Sequence, residues 1–139
     1  MDVKIRLMLP EDVDNALRIW EPLDGIALSG ADEPKRLREF LSKNPLTCFL
    51  AAVDGEVIGT VLGGSDGRRG YLYHLAVDPR FRGRGIGKSL VEHCLGAFRQ
   101  AGLQKSHLFV VRGNDQGLEF WQAAGWKLRE DILIMSMDL

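Results

Sequence analysis

Along residues 85–102 the apolar side chains recur at helical spacing. Ile86, Leu90, Cys94 and Phe98 fall on every fourth position, with Val91 and Leu95 beside them. Val13, Leu17 and Trp20 trace a shorter stripe behind Pro10-Glu11-Asp12, a proline-and-acid start that suits a first helical turn. Leu37, Phe40 and Leu41 mark a helix over about 32–43, stopped near Asn44-Pro45. A further helix over 114–124 ends at Gly125, a C-terminal cap signal. Elsewhere the runs are short and strand-like: 4–8, 47–53, 56–63, 71–77, 106–111 and 126–137. Asp54-Gly55 between the second and third of these is a strong hairpin signal.

The predicted order is β-α-α-β-β-β-α-β-α-β. Hairpin-linked middle strands are antiparallel, whereas strands 71–77 and 106–111, joined by a helix, should run parallel. The fold class is therefore α/β, a mixed sheet with helices on both faces. With 139 residues the chain fits one domain, 1–139, at roughly 100–200 residues per domain. It is too short for a (β/α)8 barrel, which takes about 250 residues.

Composition removes several function classes. Lys+Arg 18 against Asp+Glu 19 gives a formal charge of −1, which argues against a globally basic nucleic-acid binder. No apolar run nears the roughly 18 residues that span a bilayer, and the charged start Met1-Asp2-Val3-Lys4-Ile5-Arg6 lacks a signal-peptide core. A cytoplasmic protein with no membrane partner is the expectation. Cys48 and Cys94 make no disulfide framework, and His74, His93 and His107 have no metal-ligand spacing, so no metal is expected.

Three familiar strings fail on context. Gly63-Gly64-Ser65-Asp66-Gly67 spells G-x-S-x-G but lies between hairpin strands, not at a strand-to-helix elbow. Gly87-Lys88-Ser89 resembles a P-loop tail, yet Arg82 stands where its first glycine belongs. Gly83 and Gly85 would need a third glycine at Lys88 to spell the dinucleotide fingerprint.

The informative segment follows strand 71–77. Gly83, Gly85 and Gly87 strip Cβ atoms from the start of a helix, where unpaired N–H groups and a partial positive charge converge. Arg80, Arg82, Arg84 and Lys88 add cations, with no acid from 79 to 91. A glycine-capped helix start with solvated arginines is the bland reading, but alternating glycines each cost roughly 0.5–1 kcal/mol relative to alanine. The combination reads as a pyrophosphate cradle.

Arg82-Gly83-Arg84-Gly85-Ile86-Gly87 resembles the Arg/Gln-x-x-Gly-x-Gly/Ala motif of the GNAT superfamily of acyl-CoA-dependent N-acetyltransferases. The likeness extends back through Leu75-Ala76-Val77-Asp78-Pro79 and resumes at Asn114 and Phe120-Trp121-Gln122-Ala123-Ala124-Gly125-Trp126, covering about residues 47–130. Among bacterial single-domain members the chain is most similar to the YpeA type. The resemblance implies the GNAT (acyl-CoA N-acyltransferase) fold, mostly antiparallel, with one parallel strand pair splayed to admit acetyl-CoA. It implies that Leu75, Ala76 and Val77 pair with the pantetheine arm. The main chain of Gly83, Arg84, Gly85, Ile86, Gly87 and Lys88, flanked by Arg82 and Ser89, would hold the pyrophosphate, and Asn114 and Trp121 would contact the coenzyme. Asn114 is equally a good helix N-cap.

The implied reaction is direct attack of a primary amine, on a small molecule or a peptide, upon the thioester. The family often dimerises, so a homodimer is among the expected states. Two positions depart from the pattern: Trp121 stands where a thiolate-protonating tyrosine is usual, and Val110 where a base glutamate is frequent. A coenzyme-binding module without turnover is the alternative these departures raise. Tyr73 and His74 are the substitute catalytic candidates, although adjacent strand residues point to opposite faces. Trp20, Glu21, Asp24, Asp32 and Glu33 could receive a cationic amine.

Overall fold

A computed structural model describes all 139 residues. The elements are β1 (Val3–Leu7), α1 (Val13–Trp20), α2 (Pro34–Lys43), β2 (Phe49–Val53), β3 (Glu56–Ser65), β4 (Gly70–Val77), α3 (Ile86–Gln100), β5 (Ser106–Leu108) and α4 (Asp115–Ala123), with single 3-10 turns at Pro10–Asp12, Gly30–Asp32 and Pro79–Phe81. They fall into two compact units, Met1–Phe109 and Val110–Leu139.

The first unit holds a five-stranded sheet in the order β1-β2-β3-β4-β5. The first four strands are antiparallel, and β4–β5 is the one parallel pair. One face carries α1 and α2, where Val13, Ala16, Trp20, Leu37 and Leu41 pack on Leu50, Leu62 and Ala76. On the other face, Leu90, Cys94 and Phe98 of α3 lie buried. Both helix faces follow the four-residue spacing read from the chain. Gly63 and Gly70 are needed here, because a Cβ on either would collide with Phe98, and on Gly63 with Cys94 as well. Gly64 lies beneath the Phe40 ring, and Gly67 turns with φ +87°. The glycines of the hydrolase-like string are thus accounted for by packing and turn geometry.

The parallel pairing is brief. Gly70, Tyr71 and Leu72 match Ser106, His107 and Leu108, and there it stops. β5 is shorter than the 106–111 expected, while β4 continues to Val77 without a neighbour on that side. The pair forks after Leu72 and Leu108.

The second unit contains α4 and no strand. The strand expected over 126–137 does not form. Its alternation places Ile132 and Ile134 on one side and Leu133, Met135 and Met137 on the other, so both sides are apolar and neither is marked as a core face. These side chains are exposed. A strand exists through its ladder, and this segment enters none.

Candidate functional site at the end of β4

β4 carries a bulge. Thr60 pairs with Ala76 but Leu62 pairs with Tyr73, so the register slips between them. His74 sits at the slip with φ +49°, a conformation uncommon for a residue with a side chain. The extra residue cancels the strand alternation. Tyr73 meets Phe40 of α2 edge-on at 6.3 Å, and His74 meets Trp20 of α1 at 4.7 Å. Both side chains therefore lie on the α1–α2 side, which corrects the expectation of opposite faces.

A hydrogen-bonded chain holds the bulge. The Trp20 indole Nε1–H donates to Thr60 Oγ1 at 2.7 Å, and that hydroxyl donates to the His74 carbonyl at 3.0 Å. Trp20 and Thr60 are fully buried. His74 Nε2 lies 2.7 Å from Asp32 Oδ1, and the other Asp32 oxygen accepts from the Ser29 amide at 3.0 Å. Asp32 is thus already engaged, which corrects its expected role as a free acid for the acceptor. Tyr73 is partly exposed, and burial, with Tyr71 beside it, raises its phenol above the ordinary value.

Past the fork, Asp78 N–H donates to Ile58 of β3 at 2.8 Å. Strand alternation then turns the main-chain groups of Val77 away from β3, toward the open side. The Val77 carbonyl there accepts from Arg82 Nε at 3.2 Å. Ala76 faces the core, and Leu75 lies within the bulged stretch.

The glycine loop follows. Gly83 and Gly85 have φ of +77° and +78°, and nothing lies within 4 Å of where their Cβ atoms would be. The first main-chain bond of α3 is Ser89 N–H to the Gly85 carbonyl. The amides of Gly83, Arg84, Gly85, Ile86, Gly87 and Lys88 have no acceptor within the chain. The Ile86 side chain is buried, so that residue presents only its backbone. Arg82, Arg84 and Lys88 are exposed and have no acidic partner. Arg80 differs from the expectation: it bridges Asp78 and Glu56, each at 2.7 Å, and its hydrogen bonds hold the Asp78 carboxyl below the usual range. This loop is a concentration of amide donors and unpaired cations, which fits a pyrophosphate.

In the second unit, Asn114 Oδ1 accepts from Gly117 N–H at 3.0 Å and caps α4. Trp121 packs edge-on against Phe120 and Trp126 at 5.1 and 5.3 Å. A cavity bordered by Asn15, Arg18, Glu56 and Asp78 includes neither the glycine loop nor the bulge. No group of three or more His, Cys, Asp and Glu side chains is placed to hold a metal. No helix is long and apolar enough to cross a membrane.

Sequence reasoning missed Trp20–Thr60–His74 as a unit and Asp32 as the partner of His74. The one available signal was Asp32 in an acidic turn, which without a fold is indistinguishable from a solvated residue.

The model of the acetyltransferase (GNAT) family matches residues 14–126. The acetyltransferase SG1711 of Sodalis glossinidius is 28% identical over 137 residues, spanning 99% of this chain and 96% of that protein. The Ard1 structure from Thermoplasma volcanium superposes with a TM-score of 0.81 at 23% identity, covering 93% of this chain and 85% of that one. The PaiA N-acetyltransferase of Thermoplasma acidophilum, solved in complex with coenzyme A, gives 0.77 at 19%, covering 93% and 92%. The extent of the family match, on a forked mixed sheet with a glycine loop opening α3, places this chain in the GNAT family of N-acetyltransferases.

Proposed function

We propose that the protein, as one domain over 1–139 and in the manner of the YpeA type, transfers acetyl from acetyl-CoA to a primary amine by direct attack. The observation that carries this reading is the row of unpaired amides from Gly83 to Lys88 at the end of a strand left open by the fork. Those amides, with Arg82, Arg84 and Lys88, would hold the pyrophosphate. The open side of β4 at Leu75 and Val77 would pair with the pantetheine arm, with Ser89 beside the pyrophosphate. Bound acetyl-CoA supplies a thioester carbonyl to which the amine nitrogen adds as the bond to sulfur breaks.

Direct attack is supported by the cysteines. Burial pushes the Cys48 thiol up to about 11 and the Cys94 thiol up to about 12, and neither residue is exposed. Both are protonated at neutral pH and out of reach, so no thiolate is available to form an acyl-enzyme. Turnover by the native enzyme is expected to survive a maleimide at pH 7. Inactivation with labelling of Cys48 or Cys94 would overturn direct attack.

His74 takes the amine proton through a water molecule, and Tyr73, whose raised phenol stays protonated through neutral pH, returns a proton to the leaving sulfur. His74→Asn tolerates the positive φ but has no basic nitrogen, and its shorter amide does not reach Asp32 as Nε2 does. It should lower kcat by at least about tenfold, and Tyr73→Phe by about tenfold, less than the usual worth of about 100-fold or more for acid–base groups because solvent water can stand in for either. Acetyl-CoA binding should be unchanged in both. Full turnover by both variants would remove these roles.

The function is tested by release of free thiol from acetyl-CoA across a panel of small and peptide amines, with the acceptor gaining the mass of one acetyl group. Acetyl-CoA binding without thiol release from any amine would leave a coenzyme-binding module.

A further inference from the structure

His74 is held in an uncommon backbone conformation and paired with a carboxylate 42 positions away. Its side chain is 15% exposed and that of Asp32 11%. Backbone outliers of this kind cost free energy and persist where surrounding structure over-determines them. Here that structure is the Trp20–Thr60 chain below and Asp32 at the ring. A plain core histidine needs neither the positive φ nor a carboxylate.

We propose that Asp32 is a positioning residue that fixes the tautomer of His74, so that Nδ1 is the nitrogen that accepts the acceptor's proton. The proposal rests on the acetyl-transfer reading above. The Asp32 carboxylate can only accept, and its second oxygen already accepts from the Ser29 amide. Nε2 must therefore carry the hydrogen in the 2.7 Å contact. The neutral ring is then left with a lone pair on Nδ1. Nδ1 has no partner within the chain, and it is not among the buried polar atoms lacking one, so water reaches it. In the reaction the C–N bond forms as the C–S bond breaks. The proton from nitrogen passes through water to Nδ1 and then to solvent, while Tyr73 gives its proton to the sulfur and takes one back from solvent. Asp32 keeps its charge throughout and stabilises the imidazolium as it forms. Trp20 covers the ring edge-on, and Asp32 is the charged group that pairs with His74.

Asp32→Asn makes a sharp test because the shape is kept. The amide oxygen of the new side chain takes over the Ser29 N–H, which leaves its NH2 facing Nε2. An NH2 can only donate, so the ring must move its hydrogen to Nδ1 and loses its base. Nitrogen-15 NMR of histidine-labelled protein, at alkaline pH where imidazoles are neutral, reads this directly, with His74 assigned by its disappearance in His74→Asn. His93 is an internal contrast, since its Nδ1 faces the Ser89 carbonyl at 2.8 Å and must carry the hydrogen.

The wild type should show His74 protonated on Nε2 and Asp32→Asn should show it on Nδ1. The variant's kcat should fall about tenfold or more, with KM and acetyl-CoA affinity unchanged. An Nδ1–H tautomer in the wild type, or full kcat in a variant whose tautomer has switched, would overturn the proposal. Failure of the wild type to bind acetyl-CoA would strike the acetyl-transfer reading instead, and the wild-type tautomer would still decide the pairing.

Discussion

Replacing Gly85 with valine should raise the acetyl-CoA dissociation constant by about a thousandfold, the largest binding effect expected of any single change in this chain. Gly85 caps α3 with φ +78°. A β-branched residue there is strained by about 1–3 kcal/mol, and the loop relieves that strain by turning its amides out of line. A hydrogen bond to a charged group is worth about 1.5–3 kcal/mol. Misaligning two of them costs about 3–6 kcal/mol, and a loss of about 4 kcal/mol is roughly three decades in affinity. No neighbour lies within 4 Å of the Gly85 Cβ position, so the effect comes from conformation and lost contacts, not from disturbance of the core. Gly67→Val is the matched control. It has the same kind of strain at φ +87°, with open space around it, in the β3–β4 turn away from the loop. Calorimetry with acetyl-CoA on both variants checks the prediction. Equal affinities for the two would mean that the glycine loop does not grip the coenzyme. Arg80→Ala should bind normally, because Arg80 is spent on Asp78 and Glu56.

The parts of this site that were legible in the sequence are the parts made locally. The amide row from Gly83 to Lys88 is a consequence of glycine spacing and a helix start, both of which a linear pattern records. α3 was legible because Ile86, Leu90, Cys94 and Phe98 repeat at the helical period over four turns. The bulge at His74 left no such trace. Nothing in Tyr73-His74-Leu75 distinguishes a straight strand from a slipped one, since the slip is set by how β3 and β4 pair. The Asp32–His74 contact closes across 42 positions, and it exists only once α1 and α2 have packed on the sheet. The tail shows the converse failure. Its residues have strand composition, but composition cannot supply a partner strand. The departures at Val110 and Trp121 gain a physical context too. The two groups proposed in place of the usual base and acid, His74 and Tyr73, stand on β4, brought to one side by the bulge.

Thr60→Val should lower the melting temperature by about 4–24 °C, and it should lower kcat in the fraction that remains folded. The Thr60 hydroxyl accepts from Trp20 Nε1–H and donates to the His74 carbonyl, in a site with no exposure to water. Valine keeps the shape and removes both functions. A buried group left without its partner costs about 1–3 kcal/mol, and two such groups cost about 2–6 kcal/mol. At about 2–4 °C per kcal/mol for a chain of this size, the melting shift follows. The loss of kcat has a separate origin. With its carbonyl released, His74 has less to hold φ at +49°, and the residue can relax toward ordinary strand geometry, carrying the imidazole off Asp32. Thr60→Ser separates the two effects. It keeps the hydroxyl and loses only a methyl, so it should cost some stability to the small cavity but retain turnover. Both variants are to be assayed well below their melting temperatures. If Thr60→Val, fully folded, turns over as fast as Thr60→Ser, then the buried chain from Trp20 stabilises the fold without setting the geometry of the base.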